Sequence, residues 1–167
     1  MRIALLFAFA ALAGCATTPA ARGDTVATYL LVRHAEKDTR VARDPPLTAA
    51  GAARAQRLAE RLRDTRLDAI YSSPTRRTRQ TAQPVADRHR LAIVEYDPVD
   101  AAAFADRLRA EHPRGTVLVV GHSDTLPPLA RALCGCTVAD MDERVYGIRY
   151  TLGFDANGRV RFSESRD

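Results

Sequence analysis

Residues 30–37, LLVRHAEK, place an arginine and a histidine at the end of an apolar run. Residues 117–123, VLVVGHS, end a second apolar run on another histidine. Short, continuous runs rich in valine and leucine are typical of strands buried on both faces of a parallel sheet. In an open α/β sheet, ligands bind just beyond the carboxyl ends of the strands. The sequence therefore predicts that His34 and His122 lie in one crevice and form a functional site.

Strand-like and helix-like patterns alternate along the rest of the chain. Strands are predicted at 26–32, 67–71, 92–95 and 116–120, with a closing hairpin at 147–154 and 159–162. Helices are predicted from the N-cap Thr48 to about residue 63, from Pro74 as a first helical position, at 101–111 and at 125–133. This alternation predicts an α/β fold: a three-layer α/β/α sandwich with a mostly parallel central sheet.

The N-terminal residues read as an export signal. Residues 1–14 have a charged start and a short apolar core, which predicts a signal peptide rather than a membrane span. Residues 12–15, LAGC, resemble the bacterial lipobox, which implies cleavage before Cys15 and a lipid on its sulfur. We therefore expect a linker at 15–24 and a domain at 25–167, tethered on the periplasmic side of the cell envelope, with the outer membrane favoured by Ala16. A plain signal peptide with a coincidental cysteine is the alternative.

Composition excludes some classes of function. The net charge is +5, but aromatic residues make up only 6% and no basic run interleaves with them, so nucleic-acid binding is not expected. A basic crevice for an anionic substrate is more plausible. Cys134 and Cys136 could pair or remain two free thiols. No second Cys/His pair lies at ligand spacing, so no metal site is expected.

A third basic motif, YSSPTRRTRQTA at 71–82, follows a predicted strand and opens a predicted helix. Helix N-termini attract anions, and arginine adds a planar fork that matches phosphate oxygens. We expect Arg76 and Arg79 to be solvated on the helix face. Arginines beside two histidines suit phosphoryl transfer, in which an unprotonated imidazole can act as nucleophile. No cofactor is expected, because the sequence shows no glycine-rich nucleotide loop and no metal-binding carboxylate cluster.

These motifs resemble those of the histidine phosphatase superfamily, the phosphoglycerate mutase-like branch 1. LVRHAEK is similar to its R-H-G motif with Ala35 in place of glycine, YSSPTRRTRQTA to its S-S-x-x-x-R-x-x-Q-T-A pattern, and VLVVGHS to its second-histidine motif. PLTAAGAARAQRLAERL is similar to the helix that follows the first motif. The resemblance implies a phosphoglycerate mutase-like fold. It also implies a metal-independent phosphomonoester hydrolase that works through a phosphohistidine intermediate.

Carried over by position, the resemblance makes His34 the nucleophile. The side chains that would hold the phosphoryl oxygens are Arg33, Arg77 and His122, with Ser123 adding a hydroxyl or backbone N–H. Arg77 rather than its neighbour matches the family spacing.

No motif identifies the proton donor for the leaving group. Glu36 and Asp97 are the preferred candidates, and Glu95 and Asp124 are the others. A working donor needs an environment that keeps its carboxyl group protonated.

The expected partners are a phosphorylated small molecule or a phosphoprotein, together with a membrane through lipid on Cys15. In its short length the chain also resembles the short phosphohistidine phosphatases, which act on phosphorylated proteins in the cytoplasm. The predicted export signal argues against that role. A mutase is disfavoured because it needs a phosphorylated priming cofactor. A lipoprotein that binds a phosphoryl ligand without catalysis is a further alternative.

Overall fold

Six strands and four helices alternate along the part of the chain that the structure, a computed structural model, describes, residues 24–166. The strands are β1 (Thr25–Arg33), β2 (Ala69–Ser72), β3 (Ile93–Glu95), β4 (Gly115–Gly121), β5 (Ile148–Asp155) and β6 (Val160–Arg166). The helices are α1 (Ala49–Arg61), α2 (Arg76–His89), α3 (Ala101–Glu111) and α4 (Leu126–Cys134). The order of elements agrees with the alternation read from the sequence.

One sheet with the order β3-β2-β4-β1-β5-β6 forms the middle layer. The first four strands in that order are parallel, and β5 and β6 form the antiparallel hairpin that closes the sheet. One hydrophobic cluster joins α1 and α2 to one face of the sheet, and the other joins α3 and α4 to the opposite face. The predicted three-layer α/β fold with a mostly parallel sheet is confirmed.

Burial on both faces explains the apolar runs in the two central strands. In β1, Leu30 packs in the cluster with α1 and α2, and Leu31 packs in the cluster with α3 and α4. In β4, Leu118 and Val119 alternate in the same way and are fully buried. Because neither face of residues 30–32 or 117–120 meets water, these stretches are apolar, and the two histidines follow where the strands end.

Helix α1 begins as the sequence predicts, but α2 does not. Thr48 caps α1 by accepting a hydrogen bond from the Gly51 backbone N–H. The prediction that Pro74 opens α2 is wrong: the N-cap is Thr75, in an extended conformation, and the helix begins at Arg76. The carboxylate of Asp44 accepts a hydrogen bond of 2.9 Å from the Arg76 N–H, so that part of the helix end already holds an anionic group.

Several sequence predictions concern the N-terminal end of the chain. The signal peptide, Cys15 and all of the 15–24 linker except Asp24 lie outside the described residues. Within residues 24–166, no helix is long and apolar enough to cross a membrane. In that same part of the chain, no group of three or more His, Cys, Asp or Glu side chains is arranged to hold a metal ion. Cys134 and Cys136, whose state the sequence left open, form a disulfide at the end of α4.

Candidate active site

The ends of β1 and β4 bring the two motif histidines together. These neighbouring strands pair in parallel with Arg33 opposite Gly121, so His34 and His122 follow at the same level. The His34 backbone N–H donates to the Gly121 carbonyl at 2.9 Å, which fixes the two strand ends against each other. The imidazole centroids lie 5.3 Å apart, with the rings inclined at 66°. The convergence predicted from two apolar runs is present.

The His34 side chain has a defined tautomer. Its Nδ1 lies 2.7 Å from the Ala35 carbonyl oxygen. Because a carbonyl can only accept, Nδ1 carries the proton, and the lone pair of the neutral ring is on Nε2. Nε2 has no hydrogen-bond partner among residues 24–166. The ring therefore presents an unprotonated nitrogen.

Burial keeps that ring neutral. His34 is only 3% exposed, and its desolvation lowers the pKa to about 3. That value includes smaller contributions: the Ala35 hydrogen bond raises the pKa, and His122, Arg77 and Arg33 lower it. A nucleophilic imidazole must be unprotonated, and this environment provides that form at any pH near neutrality.

His122 is held by side chains from the segment before and within α2. An Arg77 terminal nitrogen lies 3.3 Å from His122 Nδ1, and the Ser73 hydroxyl lies 2.8 Å from Nε2. Since a guanidinium can only donate, Nδ1 accepts, and in the neutral ring Nε2 donates to Ser73. The Ser73 hydroxyl in turn donates a hydrogen bond of 3.0 Å to the Thr78 hydroxyl oxygen. Burial, followed by the charge of Arg77, lowers the pKa of His122 to about 4.

Arg33 is the most deeply buried charged side chain of the site, at 1% exposure. One terminal nitrogen donates to the backbone carbonyls of Asp142 at 3.2 Å and Val145 at 2.7 Å. Its Nε and second terminal nitrogen have no hydrogen-bond partner among the described residues, and neither has the buried Nε of Arg77. Buried donors normally have partners, so these three nitrogens indicate an anion that completes the site. A tetrahedral oxyanion such as a phosphoryl group fits such donors.

The loop after His34 is fixed by both helices of one face. The Ala35 N–H donates to the Thr81 hydroxyl of α2 at 3.0 Å. The Glu36 carbonyl accepts a hydrogen bond of 2.9 Å from the N–H of Thr48, the α1 N-cap. Gly51 packs so closely on Glu36 that a Cβ there would overlap the Glu36 carbonyl oxygen. Glycine at that position allows α1 to pack directly against the loop that follows His34.

The contacts of the four candidate proton donors distinguish them from one another. The Glu36 carboxylate forms an ion pair with Arg54 at 2.6 Å, which lowers the pKa of Glu36 and makes it unsuited to give up a proton near neutral pH. Glu95 forms an ion pair of 2.6 Å with Arg79 at the surface.

Asp97 follows the edge strand β3, and two strands, β2 and β4, lie between β3 and the strand that carries His34. It is exposed, and its carboxylate accepts the Val99 N–H. Neither preferred candidate is therefore well placed. Asp124 lies two residues after His122, and its charge raises the pKa values of both His122 and Arg33.

Two further side chains lie near the site, and the sequence predicts a role for only one of them. Ser123 directly follows His122 and lines a cavity at the rim with Asp124 and Glu143, which is compatible with its predicted role. Tyr146 was not singled out in the sequence. Its ring lies 4.3 Å from the Arg33 guanidinium carbon and 6.1 Å from the His34 ring. No periodicity or motif marks the segment that carries it, so only the three-dimensional structure shows this contact.

Comparison with known families agrees with this geometry. Residues 29–99, which include Arg33, His34 and Arg77, match the family model of the histidine phosphatase superfamily (branch 1). Over this segment the chain is similar to that superfamily. Phosphoserine phosphatase 1 of Hydrogenobacter thermophilus is 40% identical over 76 residues, which are 42% of this chain and 36% of that protein. The probable phosphoglycerate mutase GpmB of Proteus mirabilis is 41% identical over 70 residues, 38% of this chain and 33% of that protein.

The matched segment thus spans about a third of the length of these curated relatives. Solved histidine phosphatase structures are similar over nearly the whole fold. The protein histidine phosphatase SixA, complexed with tungstate, superposes with a TM-score of 0.71 at 22% identity, covering 83% of this chain and 96% of SixA. A putative phosphohistidine phosphatase SixA from Agrobacterium tumefaciens superposes with a TM-score of 0.62 at 25% identity, covering 84% of this chain and 97% of that one. These similarities support the phosphoglycerate mutase-like fold.

Proposed function

We propose that this protein is a phosphomonoester hydrolase that works through a phosphohistidine at His34. The observation that carries the proposal is the set of buried, unpartnered guanidinium nitrogens of Arg33 and Arg77 beside an imidazole held as the nucleophilic tautomer. The donors fit the equatorial oxygens of a transferring phosphoryl group. The family and its phosphatase members support the same chemistry.

The reaction has two steps. In the first, His34 Nε2 attacks phosphorus, a nitrogen–phosphorus bond forms, and the bond from phosphorus to the leaving oxygen breaks. In the second, water attacks the phosphohistidine and releases inorganic phosphate and the free imidazole. Arg33, Arg77 and His122 bind the phosphoryl oxygens in both steps.

We assign the proton for the leaving oxygen to Asp124. It lies two residues after His122, and of the four candidates it is the one whose charge acts on both His122 and Arg33. Asp124→Asn should slow hydrolysis of an alkyl phosphate by about a hundredfold, since general acid catalysis contributes on that scale. An aryl phosphate with a good leaving group should be far less affected. Equal losses on both substrates would reject Asp124 as the acid.

The hydrolase requires no metal ion, because its own arginines and histidines supply the charge that a metal would provide. The experiment is hydrolysis of an aryl phosphate by the folded domain with a chelator present, together with trapping of the phosphoenzyme. We expect turnover and a trapped phosphate that is labile in acid and stable in base, as a phosphoramidate bond is. Loss of activity in the chelator, or phosphate trapped on serine or aspartate, would contradict the mechanism.

The hydrolase acts in the bacterial envelope, anchored by lipid on Cys15. This part of the proposal rests on the LAGC sequence and the apolar segment before it. The precursor should incorporate radiolabelled palmitate, and Cys15→Ala should prevent it. Recovery of the Cys15→Ala protein in the membrane fraction after a high-salt wash would contradict the anchor. A mature N-terminus other than modified Cys15, read by mass spectrometry, would do the same.

A phosphohistidine protein phosphatase is the second candidate. The supporting observation is the similarity of the fold to the protein histidine phosphatase SixA, 96% of which is covered. Rates on a phosphohistidine-bearing protein, phosphoserine and sugar phosphates distinguish the two candidates. A preference of the phosphoprotein over every small ester would favour the second.

A further inference from the structure

The loop between α4 and β5, residues 135–147, forms one wall of the site and holds Arg33. Two carbonyls of this loop, those of Asp142 and Val145, accept hydrogen bonds from the same terminal nitrogen of Arg33. The guanidinium is therefore anchored at one corner only. A planar group held at one corner can still swing about it, and swinging would turn its two unpartnered nitrogens away from a phosphoryl group.

The Tyr146 ring lies where it can prevent that motion. The guanidinium carbon of Arg33 sits over the ring, 4.3 Å from its centroid, while the same ring packs against His34 with centroids 6.1 Å apart. A guanidinium stacked on an aromatic face is stabilised by cation–π attraction, and its plane is restricted by the contact. One ring thus contacts both the proposed nucleophile and a proposed phosphoryl ligand.

The ring is itself held by a fixed loop. Val138 and Met141 of the loop are buried in the core with α3 and α4. Lys37, three residues after the proposed nucleophile, forms an ion pair of 3.1 Å with Glu143. Gly147 follows Tyr146 with a φ of 80°, a backbone conformation that turns the chain into β5 and that few other residues adopt without strain. The position of the ring is therefore set by the fold.

We propose that Tyr146 is a positioning residue that holds the Arg33 guanidinium so that Nε and the free terminal nitrogen face the phosphoryl group. This inference rests on the proposed function for its catalytic consequence, but anion binding tests it independently. The face of the ring, rather than the phenol hydroxyl, orients the guanidinium. Phenylalanine should therefore replace tyrosine, whereas an aliphatic side chain should not.

The first test compares Tyr146→Phe with Tyr146→Leu. Loss of a largely desolvated cation–π contact corresponds to about a tenfold reduction in kcat/KM on an aryl phosphate for the leucine variant. The phenylalanine variant should remain within about threefold of the parent, because Phe offers a somewhat weaker ring face. Arg144→Ala is the matched control, since Arg144 is exposed on the same loop and pairs only with Asp142. Equal losses for phenylalanine and leucine would overturn the proposal.

The second test separates positioning from a structural role. In an Arg33→Lys background no planar group remains for the ring to orient, so adding Tyr146→Leu should cost less than about twofold. A merely structural role predicts the same tenfold loss in both backgrounds, and that result would overturn the proposal.

Binding of inorganic phosphate, measured calorimetrically in a His34→Ala background, isolates the anion site from turnover. We expect Tyr146→Leu to weaken phosphate binding severalfold there. If hydrolysis is absent from the parent protein but this dependence persists, the proposed function fails and the positioning role stands. If hydrolysis is present and phosphate affinity ignores Tyr146, the positioning role fails alone.

Discussion

His34 and His122 end two neighbouring parallel strands at the same level, yet they are held in different ways. His34 is fixed by a backbone carbonyl, that of the next residue. His122 is fixed by two side chains, the Ser73 hydroxyl and the Arg77 guanidinium. The two arrangements leave opposite ring nitrogens toward the site: Nε2 of His34 has the lone pair, while His122 presents Nδ1.

The difference fits the roles proposed for the two rings. A backbone carbonyl cannot be removed by mutation and keeps one tautomer, which suits a nucleophile that must always present the same lone pair. A ring held by a hydroxyl and an arginine can take up a proton when an anion arrives, which suits a ligand of the phosphoryl group. The proposed nucleophile is thus fixed by the main chain, whereas the proposed phosphoryl ligand is fixed by neighbouring side chains.

The largest expected effect is at the nucleophile. His34→Ala should reduce kcat by about 10⁴-fold or more and remove the trapped phosphoenzyme, because no other group can form the covalent intermediate. His122→Ala should leave a slow but measurable phosphorylation of His34. Rapid-quench measurement of the phosphoenzyme distinguishes the two. Were both variants to lose phosphorylation equally, the division of roles would be wrong.

The next effect concerns the arginine that contacts His122. Arg77→Ala should reduce kcat/KM by about a hundredfold or more, the scale on which a preorganised charge donor acts. Arg79→Ala is the matched control two residues further along α2, and its guanidinium pairs with Glu95 outside the site. Steady-state kinetics on an aryl phosphate measures both. Similar losses at both positions would contradict the placement of Arg77.

A smaller effect is expected at the hydroxyl that fixes His122. Ser73→Ala removes the acceptor of His122 Nε2, so the ring can change tautomer, and we expect kcat/KM to fall about tenfold on the scale of one lost buried hydrogen bond. Ser72→Ala is the matched control, because Ser72 is equally buried but bonds to the Ser73 carbonyl instead. Imidazole ¹⁵N shifts report the tautomer directly. An unchanged His122 spectrum in Ser73→Ala would remove the basis of this prediction.

The smallest effect sharpens the electrostatic side of the comparison. Burial lowers the pKa values to about 3 for His34 and about 4 for His122, so both rings should stay neutral down to about pH 5 in the unliganded protein. Unfolded imidazoles take up protons below their ordinary pKa of 6.5, whereas the folded ones do not. The free energy of unfolding should therefore fall as pH decreases from about 7 to 4. An NMR titration with midpoints near 6.5 would contradict the assignment.

Much of the site was predictable because its central residues follow regular patterns. Apolar runs place His34 and His122 at strand ends, and motif spacing selects Arg77 over Arg76. The acceptors of Arg33 were not predictable, since Val145 lies 112 residues away in a loop without periodicity. Ion pairing between distant residues is equally hidden, so the sequence predicts Glu36 as a proton donor although the fold pairs it with Arg54.

The redox state of the Cys134–Cys136 disulfide depends on the compartment in which the chain resides. Cytosolic thiols are kept reduced, and bridges of this kind persist in oxidising compartments such as the periplasm. If the chain is exported as proposed, trapping with an alkylating reagent at the moment of lysis should leave Cys134 and Cys136 unlabelled in exported molecules and labelled in any that were retained. The ratio of the two populations would report export efficiency without a fractionation step, independently of any lipid on Cys15.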